Sequence, residues 1–145
     1  RDVAPSRGLG DVYKRQALLA DQYREETEKY KLADVQVQYS SNGYQGAIVS
    51  IINEENETQV ASQIGSGSIQ AIYNTIDELL QQDPELTEYE IQALTGGEDA
   101  QAEVRVTLRD KKSNDEFRGI GVDFDVLHAS AKAYVQASNH LKQNG

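Results

Sequence analysis

The chain has 145 residues, 24 acidic against 14 basic, for a formal net charge of -10, and it contains no Cys, Met or Trp. This length suits one domain with a buried core, and no apolar run approaches the roughly 20 residues that span a bilayer, so a membrane protein is not expected. No Lys or Arg occurs between Lys31 and Arg105, a stretch with thirteen acidic residues, which argues against a nucleic-acid partner.

The first segment, residues 1–16, reads RDVAPSRGLGDVYKRQ and carries four basic and two acidic residues without periodicity. We interpret it as a non-native, adapter-derived prefix, and leaving it out brings the net charge nearer -12. No apolar stretch typical of a signal peptide follows. The spacing of Leu18, Leu19 and Tyr23 predicts a short linker helix within residues 17–30.

Three strands and a helix are predicted next. Residues 35–39 alternate polar and apolar side chains, Ala47, Val49 and Ile51 do the same, and a third strand is expected over residues 58–64. A helix with Ser68 as its N-cap then follows and ends before Pro84. Its apolar residues recur at helical spacing: Ile69, Ile72, Tyr73, Ile76, Leu79 and Leu80.

The same order recurs in the second half of the chain. Strands are predicted around Tyr89 to Ala93, around Val104 to Leu108 and over residues 117–122, and a final helix is predicted to begin near Asp123 or Asp125. The Gly65 and Gly67 pair then maps onto Gly119 and Gly121 at an offset of 54. We predict an α+β fold of two duplicated βββα units in a domain of residues 31–145, with halves at about 31–83 and 87–141.

A glycine pair before a helix lets the backbone turn sharply and approach another group closely. The helix start also offers free N–H groups and a partial positive charge to a carboxylate or phosphate. A phosphate-binding loop is disfavoured because no Gly-Lys-Ser/Thr ending is present. A dinucleotide-binding motif is disfavoured because its third glycine is absent. A small ligand with one carboxylate fits best, and the alternative is a tight turn that binds nothing.

The other chemically suggestive residues have structural readings. With no cysteine, thiolate zinc sites and thiol nucleophiles are excluded, and His128 and His140 are too few for a multi-histidine metal site. We expect His128 to be a partly exposed helical residue, His140 to be solvated, and Ser130 and Tyr134 to pack rather than react. We therefore predict no catalytic and no metal residues. The alanines of the last helix predict close approach of another element, in a helix–helix or dimer contact: Ala129, Ala131, Ala133 and Ala137.

Three segments carry a family resemblance. Residues 91–104 (IQALTGGEDAQAEV) and residues 119–139, from GIGVDFDVLHASAKAY onward, resemble the C-terminal regulatory domain of 2-isopropylmalate synthase. Residues 65–71 (GSGSIQA) are similar to that family's G-N-G-P-[VL]-x-A loop. The resemblance covers residues 29–141 in the right order. The related citramalate synthases share the domain, with a less similar middle segment.

The resemblance implies a regulatory domain that forms a homodimer and binds leucine as a feedback inhibitor, behind a TIM-barrel acyltransferase that condenses acetyl-CoA with 2-oxoisovalerate in the cytoplasm. The chain itself would then be no enzyme and would hold no cofactor, since the divalent metal and acetyl-CoA belong to that barrel. The alternatives are an isoleucine-sensing citramalate synthase domain and a purely structural dimerisation module. The residues implied to bind the effector are Gly65, Ser66, Gly67, Ser68, Ile69, Ala71, Ala93, Ala100, Gly121 and Val122.

Three positions depart from the family loop. Ser66 and Ser68 stand where the family has Asn and Pro, and Gln70 replaces a frequent Asp. Serine keeps hydrogen-bonding capacity, so ligand binding is expected to survive with altered affinity and selectivity.

Overall fold

The computed structural model describes residues 28–94 and 100–144 and contains two successive βββα units. The first comprises β1 (Lys31–Tyr39), β2 (Gln45–Ile52), β3 (Thr58–Gly65) and α1 (Ser68–Leu80). The second comprises β4 (Glu85–Ala93), β5 (Ala102–Arg109), β6 (Glu116–Asp123) and α2 (Val126–Asn144). The predicted duplicated α+β fold is confirmed.

The predicted prefix, residues 1–16, and most of the predicted linker helix, residues 17–27, lie outside the described residues. Residues 28–30 are described and are not helical. The proposed division of the chain at these points stays a prediction. Within the described ranges, no helix is long and apolar enough to cross a membrane.

Each unit forms its own three-stranded antiparallel sheet, in the order β1-β2-β3 and β4-β5-β6. The first strand of each sheet is irregular at the same place: the register shifts between Leu32 and Asp34 in β1 and between Leu86 and Glu88 in β4. Two sheets that share an order and a bulge position are what a duplicated sequence predicts.

One face of each sheet supplies the core. Alternate residues from Ala47 in β2 and from Val104 in β5 are buried, because successive side chains of a strand point to opposite faces. These residues pack under the two helices, and burial of their apolar surface is the main stabilising contribution. The central-strand members of this core are Ala47, Val49, Ile51, Val104, Val106 and Leu108.

The two helices run parallel to each other, α1 packed on β2 and β3 and α2 on β5 and β6. The Tyr73 hydroxyl donates to the carbonyl of Ser130 at 3.0 Å, and four residues later the Tyr134 hydroxyl donates to Asp77 Oδ1 at 2.8 Å. The contacts therefore advance together along both helices. Both helix starts lie at one end of the molecule, which we call the helix-start end, and the last turn of α1 lies at the other.

The predicted alignment of the two glycine pairs is wrong. β1 begins at Lys31 and β4 at Glu85, an offset of 54, whereas β3 begins at Thr58 and β6 at Glu116, an offset of 58. The offset grows because the β4–β5 connection and the β5–β6 turn are longer than their counterparts in the first unit. Gly65 and Gly67 therefore correspond to Asp123 and Asp125, whereas Gly119 and Gly121 lie inside β6.

Candidate functional site

The β3–α1 turn brings the end of the strand very close to the helix. A Cβ atom on Gly65 would lie 2.6 Å from the backbone nitrogen of Ala71, so only glycine fits there without a shift. Gly67 is different: its φ of -153° is ordinary extended backbone, and a Cβ there would meet nothing within 4 Å. The turn therefore requires its first glycine for packing and leaves open space at its second.

The start of α1 has no side-chain cap in the described structure. The predicted N-cap, Ser68, is instead the first helical residue, and Gly67 occupies the cap position. The Ser68 hydroxyl donates to Oε1 of Gln45, the first residue of β2, rather than capping the helix. Since the first N–H groups of any helix have no partner within it, and the first turn of α1 holds no acidic side chain, this end of α1 suits an anion from outside.

The start of α2 is occupied by the chain's own carboxylates. Leu127 N–H donates to Asp125 Oδ1 at 2.8 Å, and the Asp125 N–H donates to Asp123 Oδ1 at 3.0 Å. Partial burial opposes ionisation of Asp123, but the Asp125 N–H and the Lys132 ammonium, at 2.9 Å, hold the pKa of that carboxyl below its ordinary value. The two aspartates thus complete this helix start, where a negative charge is favourable.

The other residues predicted to bind an effector are spread over both units. Ile69 is partly buried against the core and the side chain of Ala71 is fully buried in it, both near the start of α1. In the second unit, Ala93 ends β4 and pairs with Ala102, which pairs with Asp123 beside Val122. Ala100 is exposed, and the adjoining residues 95–99 of the resembling segment lie outside the described residues.

Gly121 is not part of a turn. A Cβ atom there would lie 2.1 Å from the carbonyl oxygen of Ala129, and one on Gly119 would lie 2.0 Å from that of Ala133. The predicted close approach of the alanine-rich helix face is therefore to strand β6 of the same unit. Gly121 and Val122 lie in β6 of the second unit and not in the β3–α1 turn.

Large apolar side chains are exposed mainly at the helix-start end, which sequence reasoning did not single out. Ile64 is 62% and Phe124 67% exposed. Alternation along β3 indicates that Ile64 lies on the outer face of that strand. No local pattern indicates that the starts of both helices lie at the same end of the molecule. The exposed apolar residues at this end are Tyr39, Tyr44, Ile64, Ile91, Phe124 and Val126.

In the described part of the chain, the histidines and acidic residues do not form a reactive centre. His128 is partly exposed and lies 3.3 Å from Asp125, as expected of a helical surface residue. His140 is less exposed than predicted, with Nδ1 2.8 Å from the carbonyl oxygen of Arg118. Ser130 and Tyr134 are both buried in packing positions, as predicted. Among the described residues, no group of three or more His, Asp or Glu side chains could hold a metal ion.

The fold and its helix starts define an internally duplicated α+β domain with one open and one self-capped helix start. The chain belongs to the family of the LeuA allosteric (dimerisation) domain, whose sequence model matches residues 13–142. It is therefore a regulatory dimerisation domain.

Curated relatives agree with this assignment. The chain is 54% identical over 126 residues to a 2-isopropylmalate synthase of Listeria welshimeri and 55% identical over 126 residues to one of Listeria monocytogenes, covering 87% of this chain and 24% of each relative. It is 44% identical over 121 residues to one of Staphylococcus aureus, covering 83% of this chain and 23% of that relative. The chain thus spans about a quarter of the length of these relatives.

Proposed function

We propose that this domain binds leucine and confers feedback inhibition on a 2-isopropylmalate synthase, as a homodimer, in the cytoplasm. The acyltransferase reaction, with its divalent metal and acetyl-CoA, would belong to a catalytic barrel on the same polypeptide. The family and the names of the relatives support this context.

The difference between the two helix starts is the observation that carries this proposal. At the start of α2 the Asp125 carboxylate accepts the Leu127 N–H, whereas the equivalent position at α1 is Gly67, which has no side chain. A free amino acid supplies the missing carboxylate. The open space around Gly67 admits such a ligand, and Ile69 and the exposed Ile64 offer apolar surface to an aliphatic side chain.

The homodimer is supported by the exposed apolar surface at the same end. Ile64 of the first unit and Phe124 of the second are both largely exposed there. Soluble domains rarely leave contiguous apolar surface uncovered, and large patches mark interfaces or ligand sites. A second copy of the chain that covers this end would also enclose the start of α1, so dimerisation and effector binding would be linked.

The proposal is tested by giving α1 the carboxylate that α2 already has. Gly67→Asp places an N-cap acid in a backbone conformation that accepts it, so we expect the unliganded variant to be more stable by a few tenths of a kcal/mol. The same side chain should displace the effector. Melting temperatures are measured with and without 10 mM leucine, about the concentration at which even a millimolar site gives a measurable shift.

Wild type should melt a few degrees higher with leucine, and Gly67→Asp should show no such rise. The matched control is Gly67→Ala, whose added methyl lies in open space and caps nothing, so it should keep the leucine response. Isoleucine, valine and alanine complete the panel. A larger rise with isoleucine would replace leucine as the effector, and a dimer that responds to none of the four would leave only the structural dimerisation role.

A further inference from the structure

The two βββα units are joined by a polar cluster at the last turn of α1. Asp77 Oδ1 accepts hydrogen bonds from the Tyr134 hydroxyl at 2.8 Å and from Gln82 Nε2 at 3.1 Å. The same Gln82 nitrogen lies 2.8 Å from Ser138 Oγ. Tyr134 also stacks on Tyr73, with ring centroids 3.9 Å apart. Asp77 therefore belongs to the first unit but is held mainly by groups that secure it to the second.

The cluster has an acceptor without a donor. Gln82 Oε1 is buried and has no hydrogen-bond partner in the described structure, although the nitrogen of the same amide bonds Asp77. Leaving a buried polar atom unpaired is unfavourable. A proton on the Asp77 carboxyl would add a donor beside the amide that carries this unpaired oxygen.

The charges that face Asp77 do not neutralise it. Lys111 in the β5–β6 turn favours the ionised form of Asp77, but its ammonium is paired with Asp83 at 3.1 Å. Asp83 itself opposes ionisation of Asp77. The titratable groups that line the adjoining cavity of about 820 Å³ come from α1, the α1–β4 connection, the β5–β6 turn and α2: Glu78, Asp83, Asp110, Lys111, Lys112 and Lys142.

We propose that Asp77 is a pH-dependent latch between the two units: in its protonated form it holds α1 against α2 more tightly than in its carboxylate form. The latch lies at the opposite end of the helices from the proposed leucine site and does not depend on it. Protonation removes a partly buried charge and supplies the donor that Gln82 Oε1 lacks. The latch therefore responds to the binding of a proton and needs no other ligand.

Burial, together with the negative charge of Asp83, raises the pKa of Asp77 to about 6. A carboxyl with a raised pKa in the folded state binds its proton more tightly there than in the unfolded chain. Its contribution to stability is fully present below the unfolded pKa of about 4 and is lost as the pH rises through about 6. The latch is thus tight in mild acid and loosened above neutrality.

The experiment compares the 145-residue chain with its Asp77→Asn variant, in which a neutral side chain keeps an oxygen acceptor for Tyr134. Melting temperatures are measured from pH 4.5 to pH 8 without any effector. At pH 8 we expect the variant to melt higher than wild type, and the difference should vanish toward pH 4.5. The matched control is Asp34→Asn, on the exposed part of β1, which should differ from wild type by the same amount at every pH.

Near-ultraviolet circular dichroism of the stacked tyrosines gives a second measurement, in the native state. In wild type the tyrosine signal should change with a midpoint near pH 6, and in Asp77→Asn it should stay flat. Tyr134→Phe removes a donor to the carboxylate, so the pH midpoint of the change in melting temperature should move upward. This variant tests the latch even if Asp77→Asn does not fold. A pH-independent difference between wild type and Asp77→Asn, or an unmoved transition in Tyr134→Phe, would overturn the latch.

Discussion

Gly119 and Gly121 lie in β6 directly beneath the alanine face of α2. The backbone carbonyls of Ala133 and Ala129 occupy the space that a Cβ atom at these glycines would need. The small residues of helix and strand therefore act together: each lets the other backbone approach. Packed interiors of this density tolerate very little added volume.

Gly121→Ala should consequently destabilise the domain by about 3 kcal/mol, because the added methyl must push a helix backbone away from the sheet. Urea denaturation followed by far-ultraviolet circular dichroism measures the change. Gly46→Ala in β2 is the matched control, since its nearest neighbour would be the carbonyl oxygen of Gln63 at an ordinary 3.8 Å. Equal losses in both variants would contradict the packing role of Gly121.

At the scale of the elements, the two helices start differently although they occupy equivalent places in the repeat. α2 begins with Asp125 as an acceptor for the Leu127 N–H at 2.8 Å, and His128 lies 3.3 Å from the second oxygen of the same carboxylate. α1 begins at Gly67 without a side-chain cap. The two units therefore share the same order of elements, but only the start of α2 is capped by a side chain of the described residues.

Asp125→Ala should cost about 1 kcal/mol, because the first turn of α2 loses the acceptor of one N–H and a charge at its positive end. Asp125→Asn should keep most of the stability, since the amide oxygen still accepts that N–H. Thermal unfolding of the three proteins at neutral pH checks both expectations. If the Ala and Asn variants lose the same amount, the hydrogen bond is not what Asp125 contributes.

The order and type of the elements could be predicted from the sequence because alternation in β2 and β5 and helical spacing in α1 follow directly from which faces are buried. The correspondence of the glycine pairs could not. It depends on the lengths of the β4–β5 and β5–β6 connections, which no periodicity records. Within the candidate site, the Gly65 turn was recognisable locally, whereas the contact of Ser68 with Gln45 depends on strand pairing across 23 residues.

At the scale of the whole molecule, the two units share one interior rather than standing side by side. Tyr73 of α1 stacks on Tyr134 of α2 and donates to the buried carbonyl of Ser130, and the Tyr89 hydroxyl of β4 lies 2.7 Å from Ser130 Oγ. Burial raises the pKa of Tyr73 and Tyr134 far above the ordinary tyrosine value, so both hydroxyls stay protonated as donors. Any shift of one unit against the other must disturb this stack.

Tyr73→Ala should therefore destabilise both units at once, by about 4 kcal/mol, the usual cost of removing a buried aromatic ring. Hydrogen exchange measured by mass spectrometry should show protection lost together in β2 and β5, which belong to different sheets. Tyr44→Ala, at an exposed position, is the matched control and should leave both strands protected. Loss of protection confined to β2 and α1 would mean that the units unfold independently. The tyrosine stack would then not couple the stability of the two units.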